Sequence, residues 1–127
     1  MISTNIIKVA TLLLFSSFCH AQVSQIEPQQ LIKQIQNEQL LIILDVRTED
    51  EYTQGHIKGA INIPYDQLLK YQDKITAYKD QQVILYCRSG RRAEIAAGTL
   101  QALGFTKLID LNGHIILWEQ LGYPLVK

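Results

Sequence analysis

The chain has 127 residues, of which 47% are apolar, and its 12 basic side chains balance its 12 acidic ones. This composition is that of an ordinary globular protein, which excludes a disordered or fibrous chain. A net charge of zero argues against a protein that coats nucleic acid or an anionic membrane. The length suffices for one domain only, because a second hydrophobic core would have no residues left to form it.

The amino-terminal segment has the pattern of a secretory signal peptide. Lys8 precedes ten uncharged and mostly apolar residues, 9–18, and small residues occupy the −3 and −1 positions of a cut after Ala21. The apolar run is shorter than the roughly 20 residues that span a bilayer. We therefore expect residues 1–21 to be removed on export, most simply to the bacterial periplasm, rather than to form a buried helix.

A lipoprotein signal that ends at Cys19 is the other interpretation of this segment, but the bulky Phe18 before the cysteine disfavours it. Cleavage after Ala21 leaves residues 22–127 as the mature domain, with Cys87 as its single cysteine. A lone thiol has no internal partner for a disulfide in an oxidising compartment.

The rest of the chain alternates between helical and strand-like segments. Pro28 opens an amphipathic helix up to Gln36, and Thr48 with Glu51 forms a capping box for a short helix that ends at Gly55. Apolar runs predict buried strands at residues 40–46, 60–63, 83–87 and 105–111, and further helices are predicted at residues 65–78, 93–103 and 113–121. This alternation predicts a single α/β domain with a parallel sheet that is covered on both faces.

The six residues Cys-Arg-Ser-Gly-Arg-Arg, 87–92, lie between a predicted buried strand and a helix. Ligands of an open parallel sheet bind at this end of the strands, and the unpaired amides of a helix start attract anions and favour a thiolate. Gly90 allows the loop amides to turn inward. The loop therefore predicts an anion-binding site around a reactive cysteine, and the pattern leaves open which of Arg88, Arg91 and Arg92 contacts the anion.

Two chemistries use a cysteine in such a loop. Cysteine phosphatases have the spacing Cys-x5-Arg, in which the arginine grips the phosphate oxygens. Here the sixth position after Cys87 is Ala93, and Arg92 falls one residue early. The shorter loop forms a narrower nest that suits a single sulfur atom better than a phosphoryl group. The spacing thus favours sulfur chemistry and leaves a phosphatase as the less favoured alternative.

Three stretches resemble the rhodanese-like family, in the family's order. Residues 45–64, DVRTEDEYTQGHIKGAINIP, are similar to the signature D-V-R…E-[FY]…G-H-I-x-G-A-x-N-[IL]-P. The loop at residues 87–92 has the six-residue length of the sulfurtransferase members. Residues 111–118, LNGHIILW, are similar to L-x-G-G-x-x-x-W, with His114 where the second glycine is usual.

The resemblance implies a thiosulfate-type sulfurtransferase with a five-stranded parallel sheet and helices on both sides. In this family the loop cysteine takes up a sulfane sulfur as a persulfide, which assigns that role to Cys87. The amides of the following residues would cradle the sulfur, and the arginine after the cysteine helps to bind the anionic donor. These substrate-binding residues are Arg88, Ser89, Gly90, Arg91 and Arg92.

The implied reaction needs only small molecules as partners. The thiolate attacks the outer sulfur of a thiosulfate-like donor and expels sulfite, after which cyanide or a thiol accepts the sulfur. No metal or organic cofactor is required, and a monomer suffices. We expect no nucleic-acid partner, and no membrane contact after removal of the signal peptide.

Several other polar or aromatic residues are predicted to be structural. Asp45 is expected to be a hydrogen-bonded carboxylate that supports the site, and Arg47 is expected to pair with Glu51 and fix the neighbouring loop. His56 is predicted to be a packing histidine and Trp118 a core residue. No pair of histidine and cysteine residues has the spacing of a zinc site.

Two further classes of function remain open. A non-catalytic binding module would keep the fold and use the loop to bind a partner, although the intact cysteine counts against it. A periplasmic thiol-redox protein would need a resolving cysteine, which the mature chain does not offer.

Overall fold

The computed structural model describes residues 23–127. The predicted signal peptide, its cleavage after Ala21 and the position of Cys19 all lie outside the described residues and stay predictions. No helix in the described part of the chain combines the length and the apolar character that crossing a membrane requires.

Five strands of the described part of the chain form one sheet, and all of its neighbouring strands pair in parallel. The strands are β1 (Ser24–Ile26), β2 (Ile42–Asp45), β3 (Ile61–Asn62), β4 (Val83–Tyr86) and β5 (Leu108–Leu111), in the order β1-β5-β4-β2-β3. The apolar runs predicted four of them, with bounds up to three residues too wide at one end. The edge strand β1 was missed because only its last residue, Ile26, is buried, so it has no apolar run.

Within residues 23–127, four α-helices cover the sheet on both faces. They are α1 (Pro28–Gln36), α2 (Glu49–Gln54), α3 (Arg91–Ala102) and α4 (His114–Gln120). Successive residues of a strand point to opposite faces. Accordingly Leu44 of β2 packs with Leu100 of α3 in one core cluster, whereas Ile43 packs with Trp118 of α4 and with α1 in the other.

The predicted start of α2 is confirmed in atomic detail. The Thr48 hydroxyl accepts the Glu51 N–H at 3.2 Å, and the Glu51 carboxylate accepts the Thr48 N–H at 3.3 Å. The helix ends before Gly55, as predicted. This reciprocal cap fixes the chain directly after β2.

The helix predicted at residues 65–78 is wrong. That segment contains three short 3-10 turns, Tyr65–Gln67, Gln72–Lys74 and Thr76–Tyr78. Within it only Leu68 and Ile75 are fully buried. Leu68 and Ile75, seven residues apart, each pack a separate part of the segment against the core. This packing overrides the helical periodicity of the sequence.

Candidate active site

The cysteine loop connects β4 to α3 at the carboxyl edge of the sheet, where ligands of parallel sheets bind. The helix begins at Arg91, two residues earlier than predicted, so Arg91 and Arg92 belong to its first turn rather than to the loop. Gly90 caps the helix at φ +128°, a backbone conformation that favours glycine. The amides of the first helical turn have no acceptor within the helix, and that of Ala93, like the amide of Gly90, hydrogen-bonds with the Cys87 sulfur.

Cys87 is buried beneath this helix start. Its side chain is 1% exposed, its sulfur accepts the Gly90 N–H at 3.0 Å, and its carbonyl accepts the Ile115 N–H at 3.1 Å. Burial raises the pKa of the thiol. Hydrogen bonding with His114 and with the amides of Ala93 and Gly90 lowers it by more than burial raises it, so that the pKa falls from 9.0 to about 7. The thiolate is therefore well populated near neutral pH, whereas an ordinary cysteine is mostly protonated there.

The three arginines of the cysteine segment, residues 87–92, have different surroundings. Arg88 and Arg91 are exposed, whereas Arg92 is half-buried and pairs with Glu51. The pair lowers the pKa of Glu51 to about 2, chiefly through its hydrogen bonds with Arg92. The guanidinium of Arg92 is thus engaged by a carboxylate, and any contact with substrate from this residue would come from its backbone amide.

Two cavities adjoin the cysteine segment. The larger, of about 660 Å³, lies between α3 and the β5–β1 edge and is bordered by Ser89, Arg91 and His114. The smaller, of about 280 Å³, lies at the carboxyl edge of the sheet and is bordered by Arg88 and Arg47. The two exposed arginines, Arg91 and Arg88, therefore border different cavities.

The predicted pairing of Arg47 with Glu51 is wrong. The Arg47 Nη2 atom lies 2.7 Å from Asp45 Oδ2 and donates to the carbonyl of Gly55 at 2.8 Å. The hydroxyl of Tyr86 also donates to Asp45, at 2.7 Å. Glu51 pairs with Arg92 of the cysteine segment instead. The Arg47 side chain therefore folds back into the buried space beside its own strand, where it pairs with Asp45. Asp45 and Arg47 together close the end of β2 below the site.

Sequence reasoning missed the role of His114 and of Asp110. His114 begins α4 at φ +54°, is 5% exposed, and accepts the Cys87 N–H at its Nδ1 atom over 3.1 Å. Its Nε2 atom lies 3.4 Å from Asp110 Oδ2. The available signal was a histidine in place of a motif glycine. A histidine there must adopt a backbone conformation that few residues other than glycine take.

The other polar residues that sequence analysis singled out serve packing. The His56 ring stacks on Tyr52 with centroids 3.6 Å apart, and the buried Trp118 donates its ring N–H to the Pro124 carbonyl at 3.0 Å. Among residues 23–127, no three His, Cys, Asp or Glu side chains are grouped so that they could hold a metal ion.

A comparison with protein families decides the family of this chain. The model of the rhodanese-like domain matches residues 27–121. The chain belongs to the rhodanese-like family. The match includes all three stretches that carry the sequence resemblance, and the predicted α/β fold with a five-stranded parallel sheet is confirmed.

Individual rhodanese-like relatives have names from sulfur metabolism. A sulfurtransferase of Allochromatium vinosum is 32% identical over 104 residues, which cover 82% of this chain and 95% of the relative. The putative sulfur carrier protein YrkF of Bacillus subtilis is 31% identical over 91 residues, which cover 72% of this chain but 48% of that protein. A thiosulfate sulfurtransferase of Pseudomonas aeruginosa superposes with a TM-score of 0.73 at 25% identity, over 83% of this chain and 20% of the other.

Proposed function

We propose that this protein is a sulfurtransferase that carries a sulfane sulfur as a persulfide on Cys87. The observation that carries the proposal is the buried sulfur of Cys87, which accepts the Gly90 N–H at 3.0 Å at the start of a helix. A thiol whose pKa is lowered to about 7 supplies a nucleophile near neutral pH. The sulfurtransferase relative from Allochromatium vinosum, which this chain matches over nearly its whole length, supports the same chemistry.

The proposed first step uses a thiosulfate-like donor. The Cys87 thiolate attacks the outer sulfur, a new S–S bond forms, and the S–S bond of thiosulfate breaks so that its electron pair leaves with sulfite. The exposed guanidinium groups of Arg88 and Arg91 lower the cost of bringing an anion to a thiolate. The amides of residues 88–92 are expected to hold the added sulfur.

The second step returns the enzyme to its starting state. Cyanide or a thiol attacks the outer sulfur of the persulfide, and the electron pair of the breaking S–S bond returns to Cys87 as a thiolate. Both steps are transfers of neutral sulfur between nucleophiles, so no external oxidant or reductant is needed. This also suits a protein whose described residues contain no second cysteine.

The test is the intact mass of the full chain after incubation with thiosulfate, and again after cyanide. We expect a gain of one sulfur atom that cyanide removes, together with thiocyanate in the solution. The variant Cys87→Ala retains Cys19 and should show no gain. A wild-type protein that gains no sulfur from thiosulfate, or a gain that persists in Cys87→Ala, would overturn the proposal.

A phosphatase is a weaker candidate on this geometry. Position 93, where a phosphatase has its arginine, is a buried alanine of α3, and the neighbouring Arg92 is engaged by Glu51. Neither residue supplies a guanidinium that could grip a phosphate. Hydrolysis of an aryl phosphate that disappears in Cys87→Ser would nevertheless favour this alternative.

We further propose that the protein acts outside the cytoplasm. The support is the signal-like sequence of residues 1–21. Amino-terminal sequencing of the protein from a periplasmic fraction should begin at Gln22. A protein that keeps Met1 in the cytoplasmic fraction would contradict export.

A further inference from the structure

A histidine in a strained position lies against the cysteine. The ring of His114 is buried at the start of α4, and its backbone takes the left-handed value of φ +54°. In the motif that the chain otherwise follows, this position is a glycine. A side chain that replaces glycine at positive φ carries a conformational cost, which suggests that the ring itself is useful here.

The ring contacts the cysteine residue and the loop glycine together. Its Nδ1 atom accepts the backbone N–H of Cys87 at 3.1 Å, so the lone pair of this nitrogen is directed at the backbone amide of the nucleophilic residue. The opposite edge of the ring lies against Gly90, where an added Cβ would be 3.2 Å from Nε2. Gly90 in turn donates to the cysteine sulfur. One imidazole therefore lies beside both the cysteine residue and the glycine whose amide hydrogen-bonds with the sulfur.

Asp110 fixes the other nitrogen of the ring. Asp110 lies in strand β5, and its Oδ2 atom is 3.4 Å from His114 Nε2. A carboxylate beside one ring nitrogen holds the ring proton on that side and makes the other nitrogen the basic one. The order carboxylate, imidazole, thiol is the general arrangement of an activated cysteine nucleophile.

We propose that His114, held by Asp110, accepts the thiol proton of Cys87 and stays beside the resulting thiolate as its counter-ion. The Sγ–H bond breaks, its electron pair stays on sulfur, and the proton goes to Nδ1, which gives up its bond with the Cys87 N–H. No atom is oxidised or reduced. Asp110 acts as a positioning residue for the ring. The inference rests on the proposed role of Cys87 as the nucleophile.

The electrostatics of the pair agree with this assignment. Burial lowers the pKa of His114, but hydrogen bonds with Asp110 and Cys87 raise it by more, to about 9. The pKa of the thiol is lowered in turn, with His114 as the largest of the lowering influences. Each group therefore favours the charged form of the other, as thermodynamic coupling requires.

Other charges near the pair could also act on the thiol. Arg91 and Glu94 border the same cavity as His114, and the charge of Arg92 interacts with Cys87 although Glu51 neutralises it. Substitution of the exposed Glu94 provides a matched control. Glu94→Gln should change the alkylation rate of the cysteine by less than about threefold at any pH.

The test measures ionisation of Cys87 by its rate of alkylation with iodoacetamide from pH 5 to 10, on the full chain with Cys19→Ser. We expect the wild-type rate to reach half its maximum near pH 7, the value to which the thiol pKa is lowered. His114→Asn keeps an acceptor for the Cys87 N–H at the place of Nδ1 but cannot be protonated. It should move the midpoint up by at least one pH unit, which is about a tenfold loss of rate below the midpoint.

The isosteric variant His114→Asn also distinguishes a proton-accepting role of His114 from a purely structural one. If His114 only accepts an amide hydrogen, His114→Asn will keep the wild-type midpoint while His114→Gly shifts it, and the inference is overturned. Asp110→Asn should shift the midpoint in the same direction as His114→Asn, and should add nothing in the His114→Asn background. Circular dichroism and the thermal midpoint establish that each variant is folded.

Alkylation does not depend on any sulfur donor, so it separates the two proposals. A wild-type protein that gains no sulfur from thiosulfate but shows the His114-dependent midpoint would leave the thiol–imidazole pair standing and remove the sulfurtransferase proposal. A persulfide that forms equally fast in wild type and His114→Asn at pH 6 would support the sulfurtransferase proposal and overturn the role of His114.

Discussion

Arg92 of α3 and Glu51 of α2 form a two-point ion pair, with Nη1–Oε1 at 2.6 Å and Nη2–Oε2 at 3.0 Å. The two helices start directly after the neighbouring strands β4 and β2, so the pair ties together the two segments that border the cysteine. A guanidinium that is held in this fork has one edge, with both terminal nitrogens, committed to a protein carboxylate. Arg92 therefore stiffens the site rather than waiting for a ligand.

Glu51→Gln should lower the free energy of unfolding by about 1 kcal/mol at pH 7, because both side chains are about a quarter exposed and solvent screens their attraction. The pKa of Glu51 is lowered from 4.5 to about 2, so this stabilisation is complete above pH 4.5 and is lost as the pH falls through 2. Urea unfolding at pH 7, 4 and 2 measures it. The exposed Glu49, changed to Gln, is the control in the same helix. A difference between wild type and Glu51→Gln that is the same at pH 2 and pH 7 would contradict the ion-pair account.

Asp45→Asn should be among the most damaging single substitutions in the chain. It removes the charge that compensates the buried guanidinium of Arg47, and breaking one side of a buried pair costs about 3–5 kcal/mol. Tyr86→Phe is the matched control, since it removes a hydroxyl from the same carboxylate and should cost only about 1–2 kcal/mol. Urea unfolding of both variants at pH 7 provides the comparison. Equal losses would show that the charge of Asp45 is not what stabilises this cluster.

Gly113→Ala should lower the free energy of unfolding by more than the cost of placing an alanine at the positive φ of this position. Gly113 has φ +75°, and an added Cβ would collide with the Cβ and Cδ2 atoms of Leu117 one helical turn later. Gly122, at φ +72° with no atom within 4 Å of an added Cβ, is the control for backbone strain alone. Gly122→Ala should cost about 1 kcal/mol. Thermal unfolding of Gly113→Ala should show at least a further 1 kcal/mol, from an overpacked contact at the start of α4. Similar losses in the two variants would mean that Leu117 moves away without cost.

The sequence predicted the parts of the fold that local rules determine. The apolar runs of β2 and β4 and the capping box of Thr48 with Glu51 each depend on neighbours within a few residues, and each lies close to where it was expected. The short strand β1 contributes backbone hydrogen bonds to β5 but only one buried side chain, so no hydrophobic pattern marks it. Its discovery required the three-dimensional pairing.

The site was predictable in its nucleophile and not in its partners. The position of Cys87 follows from a strand that ends at a glycine-containing helix start, which is local information. The choice of Glu51 between Arg47 and Arg92 is decided by residues 41 positions apart, and the contact of His114 with Cys87 spans 27 positions. No spacing rule in the sequence encodes either contact, because both arise where separate strand ends meet.

Arg88→Ala should weaken thiosulfate binding more than Arg91→Ala does. Arg88 directly follows the cysteine and borders the small cavity at the carboxyl edge, where the neighbouring Arg47 and Glu51 are each engaged in an ion pair with another residue and Glu119 is the remaining acid. Arg91 faces the larger cavity beside Glu94, which partly cancels its charge. Loss of a charged hydrogen bond is worth about 1.5–3 kcal/mol, so the KM for thiosulfate should rise by about tenfold or more in Arg88→Ala. Steady-state formation of thiocyanate measures it.

The arginine variants also determine by which cavity the donor enters. Arg92→Ala should chiefly lower the stability and should match Glu51→Gln in the unfolding assay, since it breaks the same ion pair. Arg88→Lys keeps the charge and should recover part of the lost affinity, although a lysine cannot form the two-point contact with an oxyanion. A larger effect of Arg91→Ala than of Arg88→Ala on KM, at unchanged stability, would place the donor in the larger cavity. The thiosulfate would then approach Cys87 past His114, and the KM should also respond to His114→Asn.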